Sequence, residues 1–345
     1  MDNKVTKRRL SNFLAYEWIL VVVVVIAAIF VWELIYSITG VGLTVGQRFN
    51  YYYDTELQRN DMIDFHATLG AQDGTNNHVL SYDVILCEYE KIYSDNDVLS
   101  SRLEIQEADV IFTDIVGHDS EKQQTIRLHT LVDKYGLYDF ASLLNDATDY
   151  LSQFLKAEHS QKTIAEKRAV VLSEGYVALD EAKIENHFLT RMKKDNRFRR
   201  QAQKQVGVVL EKERFAKLCA EVKDFNTILN CGQDIFYNTY TKYTQVYQEM
   251  VDVGNKEYID FYKPKLDQEI EYEKTNPKKI YGIKLENLVP DDYEENVSKY
   301  FRLYGKSTAE NVVLSVFNFK DYQPDLQFET IAFVNNVVRQ FSNII

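Results

Sequence analysis

VLSSRLEIQEADVIFTDIVG, residues 98–117, sets the fold class. Its first half, VLSSRLEIQE, spaces its apolar residues as a short helix does. ADVIFTDIVG then gathers Val110, Ile111, Phe112, Ile115 and Val116 into a nearly continuous apolar run. A strand buried on both faces of a parallel sheet reads this way, because neither side meets water. Upstream, TVGQRFNYYYD (44–54) and SYDVILCEYE (81–90) are rich in β-formers and are separated by the turn-like AQDGTNNH (71–78). Strand, helix and strand in alternation predict an α/β protein.

Farther out the pattern changes. Residues 120–275 hold almost no Gly or Pro and place apolar residues three and four apart, as at Leu143, Leu144, Ala147, Leu151, Phe154 and Leu155, so several helices are expected there. KTNPKKIYGIKLENLVPDD (274–292) contains a short strand candidate, IYGIKL. A helix over 293–304 that stops at Gly305 should follow. ENVVLSVFNFK (310–320) is the last strand candidate. The final segment, with Pro324 at its start, Glu329 in its first turn and Arg339 near its end, has the charge polarity of a helix.

At the other end, WILVVVVVIAAIFVW (18–32) carries no charge. Counted over 13–38, the apolar stretch is long enough for the roughly 20 residues that cross a bilayer core. Trp18, Trp32 and Tyr36 suit the interfacial belts, and Lys4, Lys7, Arg8 and Arg9 against Asp2 place the amino terminus in the cytoplasm. The expectation is a cytoplasmic tail (1–12), a membrane span (13–38) and an extracytoplasmic remainder at the cell membrane. A signal peptide would need a shorter core ending in small residues, and ELIYSITGVG (33–42) offers no such site.

Composition narrows the function classes. The 345 residues carry 40 Lys and Arg against 52 Asp and Glu, a formal net charge of -12. That balance argues against a nucleic-acid partner, whose phosphates require a basic face. Three Cys cannot form a disulfide framework, although a bridge between Cys219 and Cys231 and two free thiols both remain open. No G-x-S-x-G, H-E-x-x-H, P-loop or C-x-x-C pattern is present, and the six His lack metal-ligand spacing. Asp95, Asn96 and Asp97 near Glu104 lack the Gly and spacing of a calcium loop and read as helix caps. No catalytic residue, metal or cofactor is expected.

RLEIQEADVIFTD (102–114), with its small–acidic–valine run Ala108, Asp109 and Val110, resembles the helix and cleft-facing strand of bacterial extracellular solute-binding proteins of the type II periplasmic-binding-protein-like class. ENVVLSVFNF and LQFETIAFVNNVV resemble that family's late strand and following helix, and YGIKL resembles a hinge-proximal segment. The resemblance implies a bilobal ectodomain, with one α/β lobe from 39–119 and 276–345 and a helix-rich second lobe from 120–275. It also implies a small solute, a saccharide or peptide, delivered to the permease of an ABC-type transporter. This chain departs from the family in its helical middle and in its membrane span, since no Cys follows the apolar run to carry lipid.

Ligands of open α/β sheets sit outside the carboxyl ends of strands. Thr113 and Asp114 are therefore candidate cleft residues. Tyr51, Tyr52 and Tyr53 join them as flat, hydrogen-bonding surfaces. RMKKDNRFRRQAQK (191–204) is the one basic cluster, and Arg197, Arg199 and Arg200 are its candidate partner-binding residues. They support the alternative reading, a noncatalytic scaffold subunit that binds another envelope membrane protein.

Overall fold

The computed structural model describes residues 22–31, 47–54, 79–91, 97–104, 108–114, 136–238, 279–288, 312–317 and 327–345, with short pieces between them. Two compact units are present, Met1–Thr44 and Val45–Ile345.

In the first unit, residues 22–31 are helical and expose Val22–Val25, Ile26, Ile29, Phe30 and Val31. Ten helical residues extend about 15 Å, half of a hydrocarbon core. No helix among the described residues is long and apolar enough to cross a membrane. The remainder of the expected 13–38 span lies outside the described residues.

The second unit is a mixed α/β domain. Its strands are β1 (Arg48–Asp54), β2 (Leu86–Lys91), β3 (Val110–Asp114), β4 (Phe236–Asn238), β5 (Ile280–Lys284), the β6 (Arg302–Leu303) and β7 (Lys306–Ser307) pair, and β8 (Val312–Val316). Its principal helices are α1 (Asp97–Glu104), α2 (Phe140–Ser152), α3 (Ile164–Glu174), α4 (Glu181–Arg191), α5 (Gln201–Leu229) and α6 (Gln327–Phe341).

Six strands form one sheet in the order β2-β1-β3-β8-β5-β4. β1 runs parallel to β2 and β3, while β8 is antiparallel to both β3 and β5. The apolar run that predicted a doubly buried strand is β3, whose Val110, Ile111, Phe112 and Thr113 are all buried. Two cores account for this. On one face Phe49, Tyr51, Val110, Phe112 and Leu314 pack against α2, α5 and α6. On the other, Tyr52, Ile111, Val313 and Tyr237 pack with Leu99 of α1, Leu137 and Phe317.

Local chemistry fixes the helix ends. The Asp139 carboxylate accepts the Ser142 N–H of α2 at 3.0 Å and the Ile280 N–H of β5 at 2.9 Å, so one side chain caps a helix and ties it to the sheet. Thr163 and Glu166 form a capping box on α3. The Asp180 side chain caps α4 through the Ala182 N–H. Gly207 allows α5 to approach the end of α4, because a Cβ there would lie 2.2 Å from the Phe188 ring and 2.7 Å from that of Phe198.

The described part of 120–275 is helix-rich, as the spacing predicts, and also holds β4, which pairs antiparallel with β5. Ile235, Phe236 and Tyr237 after the Gly232 turn supply the β-formers. The helical layer shares the large core with β1, β3 and β8, so a division of the ectodomain into two lobes is not shown. Arg302–Leu303 pairs with Lys306–Ser307 as a short antiparallel ladder, which excludes a helix running to 304; residues 293–301 and Gly305 lie outside the described residues. Cys87, Cys219 and Cys231 are all free thiols, which closes the question of a 219–231 bridge.

Candidate functional site

β1 lies between β2, the next strand in sequence, and β3, so the chain leaves β1 on one side and returns on the other. Such a reversal leaves a crevice at the carboxyl ends of the parallel strands. Register brings the sequence candidates together there: Tyr51 lies opposite Val110, Tyr52 opposite Ile111, Tyr53 opposite Phe112 and Asp54 opposite Thr113. Asp114 ends β3 opposite Val312.

The three tyrosines are buried and also border the cavity beside β1 and β2. Strand alternation sends Tyr51 and Tyr53 to one face and Tyr52 to the other, and all three are buried. The Tyr51 ring meets Phe333 at 5.1 Å and stacks on Tyr89 at 5.7 Å, and its hydroxyl lies 3.1 Å from His66 Nδ1. Burial pushes the Tyr51 hydroxyl well above the ordinary tyrosine range, reinforced by Cys87 and Tyr89, and lowers His66. Thr113 is fully buried as well.

What opens to solvent is β2. A cavity of about 670 Å³ lies beside β1 and β2, and the candidates Tyr51, Tyr52 and Tyr53 border it together with His66, Glu88, Tyr89, Glu90, Lys91 and Arg102. Tyr89 presents a half-buried ring within 4.8 Å of the His66 ring, while Glu88 and Glu90 are exposed. An aromatic face bordered by carboxylates and cations can hold a polar ligand by stacking and hydrogen bonds. Cys87 supplies no nucleophile: burial, Asp109 and Glu88 push its thiol up to about 12. Among the described residues no group of His, Cys, Asp and Glu could hold a metal ion.

A second polar centre was not visible in the sequence. The Arg191 guanidinium donates both to Asp83 and, at 3.0 Å, to Glu211. The Tyr82 hydroxyl donates to Glu211 at 2.7 Å. Arg214 lies 3.6 Å from Glu211 and 3.5 Å from Glu329, joining α5 to α6. Glu211, Arg214 and Glu329 are almost completely buried. Burial raises Glu329 above the ordinary carboxylate range, and Arg214 partly offsets it. Apart from Glu211 and Arg214, three residues apart on α5, the partners are far apart in sequence, so no spacing announces the network.

This network also absorbs part of the basic cluster. Arg197 Nη2 donates to Asp83 at 2.7 Å and to Asp195 at 2.8 Å, and its guanidinium sits 5.3 Å from the centre of the Phe198 ring. Arg197 is thus held by ion pairs and partly exposed, whereas Arg199 and Arg200 are exposed. Comparisons with protein-family models, with curated proteins and with solved structures each return no match.

Proposed function

We propose that this chain is a membrane-tethered, extracytoplasmic binding protein that captures a small polar solute, a saccharide or peptide, beside β1 and β2 for delivery to a membrane transporter. The single observation that carries this reading is the coincidence of the β2-β1-β3 reversal with the 670 Å³ cavity along the same strands. Its volume suits a ligand of a few hundred Å³. Tyr89 offers the flat face, and Glu88, Glu90, Lys91 and Arg102 offer donors and acceptors of both signs. The uncharged stretch 18–32 supports the tether. Tyr51, Tyr52 and Tyr53 border the same cavity, and their burial holds β1 between the two cores.

The test is thermal unfolding of the full chain in detergent against a panel of saccharides and short peptides. A ligand that binds only the folded state stabilises it by about 2.7 kcal/mol at one hundred times its Kd. A domain of this size should then melt several degrees higher. Tyr89→Ala and Glu90→Ala should abolish the gain. Glu90 is exposed, so Glu90→Ala should leave the unliganded midpoint unchanged. No stabilisation across the panel, or gains that survive both substitutions, would remove the cavity from the argument.

A further inference from the structure

The segment entering α5 breaks a local rule. No Asp or Glu occurs between Asp195 and Glu211, while Arg197, Arg199, Arg200 and Lys204 do, in a chain whose net charge is -12. Asp83 and Asp195 engage Arg197. Arg199 and Arg200 remain exposed, immediately before the first residue of α5. Cations at this end oppose the helix dipole, and no acid in the first turn offsets them. Helix stability therefore does not explain their position.

The same end of α5 exposes apolar side chains. Ala202, Val206 and Val209 follow one another at helical spacing on its outer surface, and Val206 and Val209 are 58% and 55% exposed. Gly207 and the residues that pack on Phe188 and Phe198 hold the opposite side of the helix against the domain. The outcome is a short apolar stripe that follows two exposed arginines. Arginine with apolar side chains is the surface chemistry of a segment that rests in the headgroup region of an anionic bilayer.

We propose that the entry to α5, through Arg199, Arg200, Val206 and Val209, docks on anionic phospholipid headgroups and orients the domain on the membrane. The inference rests on the tethered reading for its geometry. If 13–38 spans the bilayer, residues 39–47 reach about 30 Å at most, which keeps the domain within contact distance of the headgroups. An ectodomain with 36 basic and 49 acidic residues after position 39 would otherwise be repelled by such a surface, so one segregated basic face is what contact requires.

The full chain, carrying Val206→Cys labelled with an environment-sensitive fluorophore, is reconstituted into phosphatidylcholine nanodiscs with or without phosphatidylglycerol. The unsubstituted chain, labelled alike, gives the background of Cys87 and Cys231. The expected result is a blue-shifted emission, quenched by lipid-borne quenchers, that requires phosphatidylglycerol, weakens with salt and falls about tenfold in Arg199→Glu/Arg200→Glu. Emission indifferent to phosphatidylglycerol, or unchanged by the double reversal, overturns the docking. A shift that follows protein concentration instead of lipid composition assigns the stripe to a second copy of the chain and also overturns it. Alkaline extraction separates this from the tether: a chain released by alkali that still shows the phosphatidylglycerol-dependent shift sustains the docking and removes the membrane span.

Discussion

The β1–β3 half of the sheet and the α4–α5 layer are both buried, yet different forces hold them. Around β1, ring meets ring: Phe333 of α6 lies 5.3 Å from Phe49, 5.1 Å from Tyr51, 5.6 Å from Phe65 and 6.0 Å from Phe112. Where α5 meets α4, α6 and the strap before β2, three arginines and four carboxylates interlock around Arg191 and Arg214. Apolar packing gains free energy from every methylene it buries. A buried ion network has to offset the desolvation of each charge before it contributes anything. The first region should therefore tolerate changes that conserve volume, and the second should tolerate changes that conserve charge balance.

Phe333→Ala should be the most damaging single change, at about 3–5 kcal/mol in chemical denaturation, because four rings lose a common neighbour. Phe333→Leu should recover more than half of it. Arg214→Ala should cost a similar or slightly smaller amount, about 3–5 kcal/mol, since it leaves Glu211 and Glu329 without its charge. The sharpening comes from Arg214→Met combined with Glu329→Leu, which should recover most of that loss. If the pair of apolar replacements is as damaging as Arg214→Ala, the network is held by something other than charge compensation.

A third test uses pH. Asp109 precedes β3, is buried, and accepts the Asn50 N–H at 2.7 Å. Burial raises its carboxyl to about 7. A folded-state value above the unfolded one means that the folded chain holds the proton longer. The stability contribution is therefore complete below about pH 4, declines as pH rises to about 7 and is flat beyond it. Asp109→Asn should remove that decline and leave the variant on the order of 2–4 kcal/mol more stable than its parent at about pH 8, relative to their difference at about pH 4. Denaturant unfolding across that range checks it, and an unchanged slope would place the titration elsewhere.

The smallest effect should come from the rim of the helical layer. Arg168 donates to Asp149 and Asn145 from a partly exposed position. Arg168→Ala should cost less than about 1 kcal/mol, because water screens the pair and solvates what is left. A much larger loss would mean that the polar network extends to the surface.

Part of this architecture was legible from residue pattern. β3 announced itself through Val110, Ile111 and Phe112, and α6 through its charge polarity, because burial on both faces and a helix dipole each leave a local trace. β4 left only three β-formers after a glycine, too short a run to stand out within 120–275. Tyr53 and Thr113 do reach adjoining strand ends and Tyr51, Tyr52 and Tyr53 border the cavity, whereas the half-buried ring of Tyr89 beside them was not singled out by the sequence. Alternation along a strand gives the face of a side chain and not what covers that face.

Sequence by itself determined the α/β class, the acidic balance, the uncharged stretch 18–32 and the basic entry to α5, all of which are properties of neighbours along the chain. Only the tertiary structure decided that Arg191 and Arg197 are bound to Asp83 while Arg199 and Arg200 stay exposed. It also decided that Glu329 shares Arg214 with Glu211. These choices depend on which charges meet across more than a hundred residues, and Coulomb energy follows distance in space, which the order of residues does not contain.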